Sequence, residues 1–321
     1  MPTPSDEGRR DEWAARPAQP PRSVFGNYRP KQATQQALPP LAEGEGRSEG
    51  AGTARPLTGA ATLPSSIDLA VARSFLYRFL AKAFEDPTPE GWQWLCDPNT
   101  QAAWQSAVTA AWQSSAGVLP APAESEAYPP FRTDAFDSFH SAYGAAFGHA
   151  ARGGCPLNEI EYGDLKADPL FQPHRLADLA AFYRAFGLEV ANDAGERHDH
   201  ICLELEFMTV LAAKEAFALE QPLGAGELPL CRDAQKKFLR EHLGRWMPAF
   251  TRRLAAATDD PALAALARFT RAFLEGECAR WGIVAGSEDL LLRPVDETAE
   301  GLCASCGVTP LPPGALTPAP A

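Results

Sequence analysis

Apolar residues in this chain recur at helical intervals, and no stretch alternates with a period of two for long enough to make a strand. Ser65, Ser66 and Asp68 carry N-cap chemistry, and Leu69, Ala72, Phe75, Leu76 and Phe79 follow at spacings of three and four. Asp86-Pro87 and Thr88-Pro89 end that helix, because proline cannot continue the backbone ladder. Trp92, Leu95, Trp104, Val108 and Trp112 predict a short helix and a longer one, and Gly117 to Pro130 reads as a connection. Phe136, Phe139, His140, Tyr143 and Phe147 share one helix face. Gly148 to Asp168 is irregular, with Gly153, Gly154 and Pro156 as breakers. Arg175 to Phe186 is helical again, with Gly187 as its C′ residue. Residues 198–220 predict the most regular helix, through Ile201, Leu205, Met208, Leu211 and Ala212. Two more are predicted near 232–257 and 261–282, separated by Asp259, Asp260 and Pro261. The fold class is all-α.

Composition divides this pattern into a body and two tails. Residues 1–65 hold ten of the 30 prolines and seven of the 25 glycines, with few large apolar side chains. Such a stretch buries too little apolar surface to offset its chain entropy, so it reads as a disordered tail. Residues 66–295 form a single helical bundle domain, and 296–321 a flexible tail carrying Cys303-Ala-Ser-Cys306. The first tail carries eight Lys or Arg against seven Asp or Glu; subtracting that +1 from the net −12 leaves −13 on the rest. An acidic body repels phosphates and anionic lipid and favours cationic partners, which argues against nucleic acid and membrane surfaces. No run approaches the roughly 20 apolar residues of a bilayer span. Arg9-Arg10 is followed by Asp11, Glu12 and Trp13 with no apolar stretch behind them, so an export signal is not expected. Seven scattered cysteines suit reduced thiols in a cytoplasm.

The densest polar cluster is Glu196-Arg197-His198-Asp199-His200 with Glu204 and Glu206, at the mouth of the 198–220 helix. Its acids serve there as caps and dipole partners, while His200 with Glu204, or His198 with Cys202, are i,i+4 pairs that offer two ligands to a metal. Glu159, Glu161 and Tyr162 lie together in the irregular segment. Acid–base chemistry, capture of a basic peptide and simple anchoring of the loop all stay open for them. A lone C-x-x-C supplies half of a structural zinc site, so Cys155, Cys303 and Cys306 define an alternative reading as a metal- or cofactor-binding accessory protein. The chain has no G-x-G-x-x-G, G-x-x-x-x-G-K-[ST] or G-x-S-x-G, which counts against nucleotide hydrolysis, dinucleotide chemistry and serine hydrolysis.

Three segments in order resemble the TorD/DmsD family of redox-enzyme maturation chaperones. They are Cys155-Pro-Leu-Asn-Glu-Ile-Glu-Tyr-Gly163, Leu176-Ala-Asp-Leu-Ala-Ala-Phe-Tyr-Arg-Ala-Phe-Gly-Leu-Glu189 and Glu196-Arg-His-Asp-His-Ile-Cys-Leu-Glu-Leu-Glu-Phe-Met208. His198 stands where the family usually has proline, and the tails lie outside the likeness. The resemblance implies an all-helical cytoplasmic chaperone, monomer or dimer, with no resident cofactor and no catalytic turnover. Its client would be the catalytic subunit of a DMSO-reductase-family molybdoenzyme, held with its twin-arginine leader until molybdopterin is loaded. By position, Asp199 and His200 match the family's client-binding pair, Glu159, Glu161 and Tyr162 its loop, and Glu196 the leading acid of the signature. The Pro-Leu-Asn form of the loop is similar to that of chaperones for periplasmic type II molybdoenzymes. A receptor for such a leader needs carboxylates beside an apolar groove. Phe136, Tyr143 and Tyr183 either line that groove or belong to the core.

Overall fold

The computed structural model describes residues 64–114, 131–148, 154–163, 171–191, 195–221 and 226–293. Residues 1–63, the connection at 117–130 and the tail with Cys303 and Cys306 lie outside the described residues. The nine α-helices among the described residues are α1 (Ser66–Ala83), α2 (Pro89–Cys96), α3 (Pro98–Gln113), α4 (Phe136–Phe147), α5 (Phe171–Ala185), α6 (Ile201–Glu220), α7 (Glu227–Glu241), α8 (Leu243–Ala257) and α9 (Pro261–Arg280). No strand occurs among the described residues, so the class is all-α.

Helix starts follow the chemistry of the chain. Ser65 accepts from the Asp68 amide while the Asp68 carboxylate accepts from the Ser65 amide, a reciprocal cap on α1. Thr88, Asp97 and Asp260 cap α2, α3 and α9, each with a proline at the first helical position. Each cap contributes about 1 kcal/mol to the helix it starts. Gly187 takes φ +79 after α5, and the Leu188 amide returns to the Tyr183 carbonyl, so the chain stops where a left-handed residue is available.

The core is built on α1, which packs along α6 and against α3. Phe79 sits among Trp94, Trp104 and Phe131, with ring centroids 5.9, 4.0 and 5.7 Å away. Phe207, Phe182, Tyr183 and Phe238 join α5, α6 and α7 in a second aromatic set. Burying each such ring contributes roughly 1.5–3 kcal/mol. The apolar face of α1 also contains Arg73, which is fully buried. Its guanidinium donates to Glu277 (2.7 and 2.8 Å), Glu215 (2.8 Å) and Gln235 (2.6 Å), and Tyr77 donates to Glu277 at 2.9 Å. The network ties α1, α6, α7 and α9 together, and a buried charge is stable only when satisfied in this way.

Two features differ from the expectation. The predicted 232–257 helix is two helices, and the break is at His242 (φ −123, ψ −100). The apolar phase continues through Leu243, Trp246 and Phe250, so periodicity alone hides the turn. The second concerns α6, which begins at Ile201, not at 198: His198 and Asp199 lie in a turn and His200 is the N-cap. The i,i+4 pairing of His198 with Cys202, or of His200 with Glu204, therefore does not exist on a helix face.

Candidate functional site

The segment 154–163 is clamped on two sides. On one side its backbone pairs with the turn before α6: the Glu159 amide donates to the Asp199 carbonyl and the Ile201 amide to the Leu157 carbonyl, each at 2.9 Å. On the other side the Gly163 amide donates to Leu291 (3.1 Å) and the Arg293 amide to Glu161 (2.9 Å). That second partner belongs to a strap over 283–293, non-helical and with a turn at 288–289, which crosses the start of α8. Pro248 lacks the amide that would reach back to the Gly244 carbonyl, and the Gly286 amide of the strap donates there instead, at 2.9 Å. The fit is close enough that a Cβ on Gly286 would overlap the Arg245 carbonyl oxygen.

Glu159, at the centre, is 0% exposed. It accepts from Arg175, from Arg245 at 3.1 and 3.3 Å, and its Oε2 lies 3.0 Å from His242 Nδ1. Burial alone pushes this carboxyl up. The hydrogen bond and charge of His242, with Arg175 and Arg245, outweigh burial and hold it below the usual range. The break between α7 and α8 aims His242 inward, and its Nε2 makes an electrostatic contact with Asp178 Oδ2 at 3.2 Å. Arg245 also donates to the Tyr162 carbonyl, so one side chain of α8 holds both ends of the short 3-10 turn Glu159–Glu161.

Asp199 is equally buried and has four donors. Arg197 reaches it through Nε and Nη2, both at 3.0 Å; Asn158 Nδ2 lies at 3.3 Å and the Ile160 amide at 3.1 Å. Arg197 Nη2 also meets Glu161 Oε1 at 3.3 Å. His200 Nδ1 accepts from the Cys202 amide at 3.3 Å, and Nε2 lies 3.5 Å from the exposed Glu196. Burial pushes the His200 imidazole down, and a neutral ring with Nδ1 as acceptor carries its proton on Nε2. Glu204 lies behind the cluster. Its Oε2 accepts from Trp246 Nε1 at 3.1 Å, Oε1 has no hydrogen-bond partner, and burial, with the charge of Glu159, pushes its pKa far up.

The structure thus brings Glu159, Glu161, Tyr162, Asp199 and His200 together and places Glu196 on the rim. Glu159 and Asp199 are not open acids: the chain's own arginines already occupy them. Tyr162 is core, donating to the Pro156 carbonyl at 2.8 Å and packing on Trp246. Tyr143 and Tyr183 are core as well, bonded to the Phe84 and His198 carbonyls, and Phe136 is partly buried against Trp92. Cys155 is buried against the Phe250 carbonyl at 3.8 Å, and burial pushes its thiol up to about 12. No group of three or more metal-binding side chains occurs among the described residues. Pattern reasoning missed Arg175, Arg245 and His242. On a helix surface an arginine reads as solvated, and only the fold reveals its partner.

An all-helical body thus clasps its acid-bearing loop between two segments distant in sequence. The family described as nitrate reductase delta subunit matches residues 101–252. The dimethyl sulfide dehydrogenase assembly chaperone protein of Rhodovulum sulfidophilum is 34% identical over 226 residues, which cover 67% of this chain and 84% of that protein. The selenate reductase assembly chaperone protein of Thauera selenatis is 35% identical over 112 residues, 33% of this chain and 56% of that one. Chaperone protein TorD of Vibrio cholerae serotype O1 (strain M66-2) is 31% identical over 117 residues, 36% and 51% of the two chains. The chain belongs to the TorD family of molybdoenzyme assembly chaperones.

Proposed function

We propose that this chain binds the catalytic subunit of a DMSO-reductase-family molybdoenzyme before its molybdopterin cofactor is inserted. It also engages the subunit's twin-arginine leader, in the cytoplasm, and so delays export until loading is complete. It does this by binding and not by turnover. The observation that carries the reading is the likeness to the dimethyl sulfide dehydrogenase assembly chaperone protein across 84% of that protein's length. The absence of any helix long and apolar enough to cross a membrane among the described residues is compatible with it.

Client recognition is assigned to the junction between the Glu159–Tyr162 loop and the Glu196–His200 turn. Glu196 forms its accessible edge, Glu161 and His200 lie nearly buried just behind it, and Glu159, Tyr162 and Asp199 hold that edge in place. The acidic body supplies long-range attraction for a basic leader. The helical domain over 66–295 is proposed to be sufficient for this without either tail.

The test is affinity purification of the tagged full chain from a host expressing its molybdoenzymes, followed by mass spectrometry. A molybdopterin oxidoreductase subunit that still carries its leader should co-purify, and Glu196→Lys should weaken its retention. If no such subunit co-purifies, the assignment is wrong.

A further inference from the structure

We infer that Arg197 is an intramolecular placeholder, occupying the Glu161–Asp199 carboxylate pair in the client-free chain and leaving it when a client guanidinium binds there. The inference rests on the client-recognition reading above and concerns how that same site is kept ready.

The cations around the two central acids are not alike. Arg175, Arg245 and His242, which hold Glu159, are mostly or wholly buried and lie on helices or at the α7–α8 break. Arg197 lies outside any helix, in the segment leading to α6, and its side chain is 44% exposed. It meets Asp199 from the solvent side with a bidentate fork and touches Glu161 with the same nitrogen, Nη2, at 3.3 Å.

Its departure would leave the fold of the loop untouched. Asp199 stays aimed by Asn158 Nδ2 and the Ile160 amide, and the backbone pairing of Glu159 with Asp199 and of Ile201 with Leu157 does not involve Arg197. The two Asp199 oxygens that Arg197 now fills would stay held by those groups. A buried Asp199 carboxylate left without its cation is unfavourable, so Arg197 is exchanged for another cation and not simply released. The geometry selects what replaces it. A planar fork suits a second guanidinium, whereas an ammonium offers one point charge and loses half of the bidentate contact. The exposed Glu196 beside the rim adds negative potential along the approach.

The experiment measures binding of a fluorescein-labelled peptide by anisotropy on the full chain. The peptide has two consecutive arginines followed by about twelve apolar residues, and a second version has lysines in their place. A half-exposed ion pair is closed most of the time but opens readily. Arg197→Ala should therefore bind the arginine peptide about three- to tenfold more tightly than the unmodified chain, as the competent fraction rises to one. The lysine peptide should gain less. Because Arg197→Ala leaves the buried Asp199 without its cation, a second measurement uses the unmodified chain. The 15N–1H signal of Arg197 Nε, held by Asp199, should lose its protection from exchange when the arginine peptide saturates the site. Binding of the arginine peptide to Arg197→Ala alone would also support the placeholder. Equal or weaker binding by a folded Arg197→Ala, or an Nε signal that stays protected at saturation, overturns the placeholder, while peptide binding by the unmodified chain leaves the recognition reading intact. Failure of both proteins to bind either peptide overturns the placeholder and the leader-binding reading together.

Discussion

Replacing Glu159 with glutamine keeps the volume and one acceptor of the side chain but removes its charge. Three cationic or proton-bearing groups, Arg175, Arg245 and His242, then face each other around a neutral amide with no exposure to water. Removing one partner of a buried ion pair costs about 3–5 kcal/mol, because the partners left behind stay desolvated without compensation. A domain of this size has only about 5–15 kcal/mol of stability in total. At roughly 2–4 °C per kcal/mol, the melting temperature of Glu159→Gln should fall by about 6–20 °C. Thermal and urea unfolding, followed by circular dichroism and by tryptophan fluorescence, measure the shift and the free energy, since Trp246 packs directly on Tyr162 of the loop. The pH dependence supplies a second readout. The folded state holds Glu159 below its ordinary value, so its contribution is present above the usual carboxylate range and is lost as pH falls through the folded pKa. The gap between wild type and variant should therefore narrow in acid. A loss under about 1 kcal/mol at neutral pH, well below what a broken buried pair costs, would show that these contacts do not hold the loop.

Three further outcomes follow from neighbouring residues. Glu204 has a raised pKa in the folded state, so its stabilising effect is complete in acid and declines as pH rises; Glu204→Gln should match wild type in acid and exceed it at pH 8 by chemical denaturation. Gly286→Ala should lower stability and raise amide exchange at Gly163 and Arg293, because a Cβ there displaces the strap from the Arg245 carbonyl. Tyr162→Phe leaves the buried Pro156 carbonyl without its donor and should cost about 1–3 kcal/mol by urea denaturation, with helix content unchanged.

The helices were readable because their starts are written in local chemistry. Ser65, Thr88, Asp97 and Asp260 mark boundaries with no help from the rest of the fold. The break at His242 was not readable, since it falls between two apolar runs that share a phase. Arg73 was hidden for a related reason: an arginine on an apolar stripe normally extends to solvent, and only α6, α7 and α9 together make its burial tolerable. For the site, sequence reasoning named the acids and the two segments that the fold brings together but not the groups that hold Glu159. Those partners of Glu159 sit at 175, 242 and 245, and local pattern contains no term for contacts made at that separation.

The strap has a consequence for when the site exists. The Glu161 carbonyl accepts from the Arg293 amide and the Gly163 amide donates to Leu291, whereas the opposite edge of the loop is completed by residue 201. During synthesis from the N-terminus, the edge at 199–201 closes first and the second edge stays open until the last part of the described chain has left the ribosome. A partly synthesised chain therefore has its acids in place without the clamp that fixes them, and the proposed recognition edge is complete only after the chain has closed over the loop.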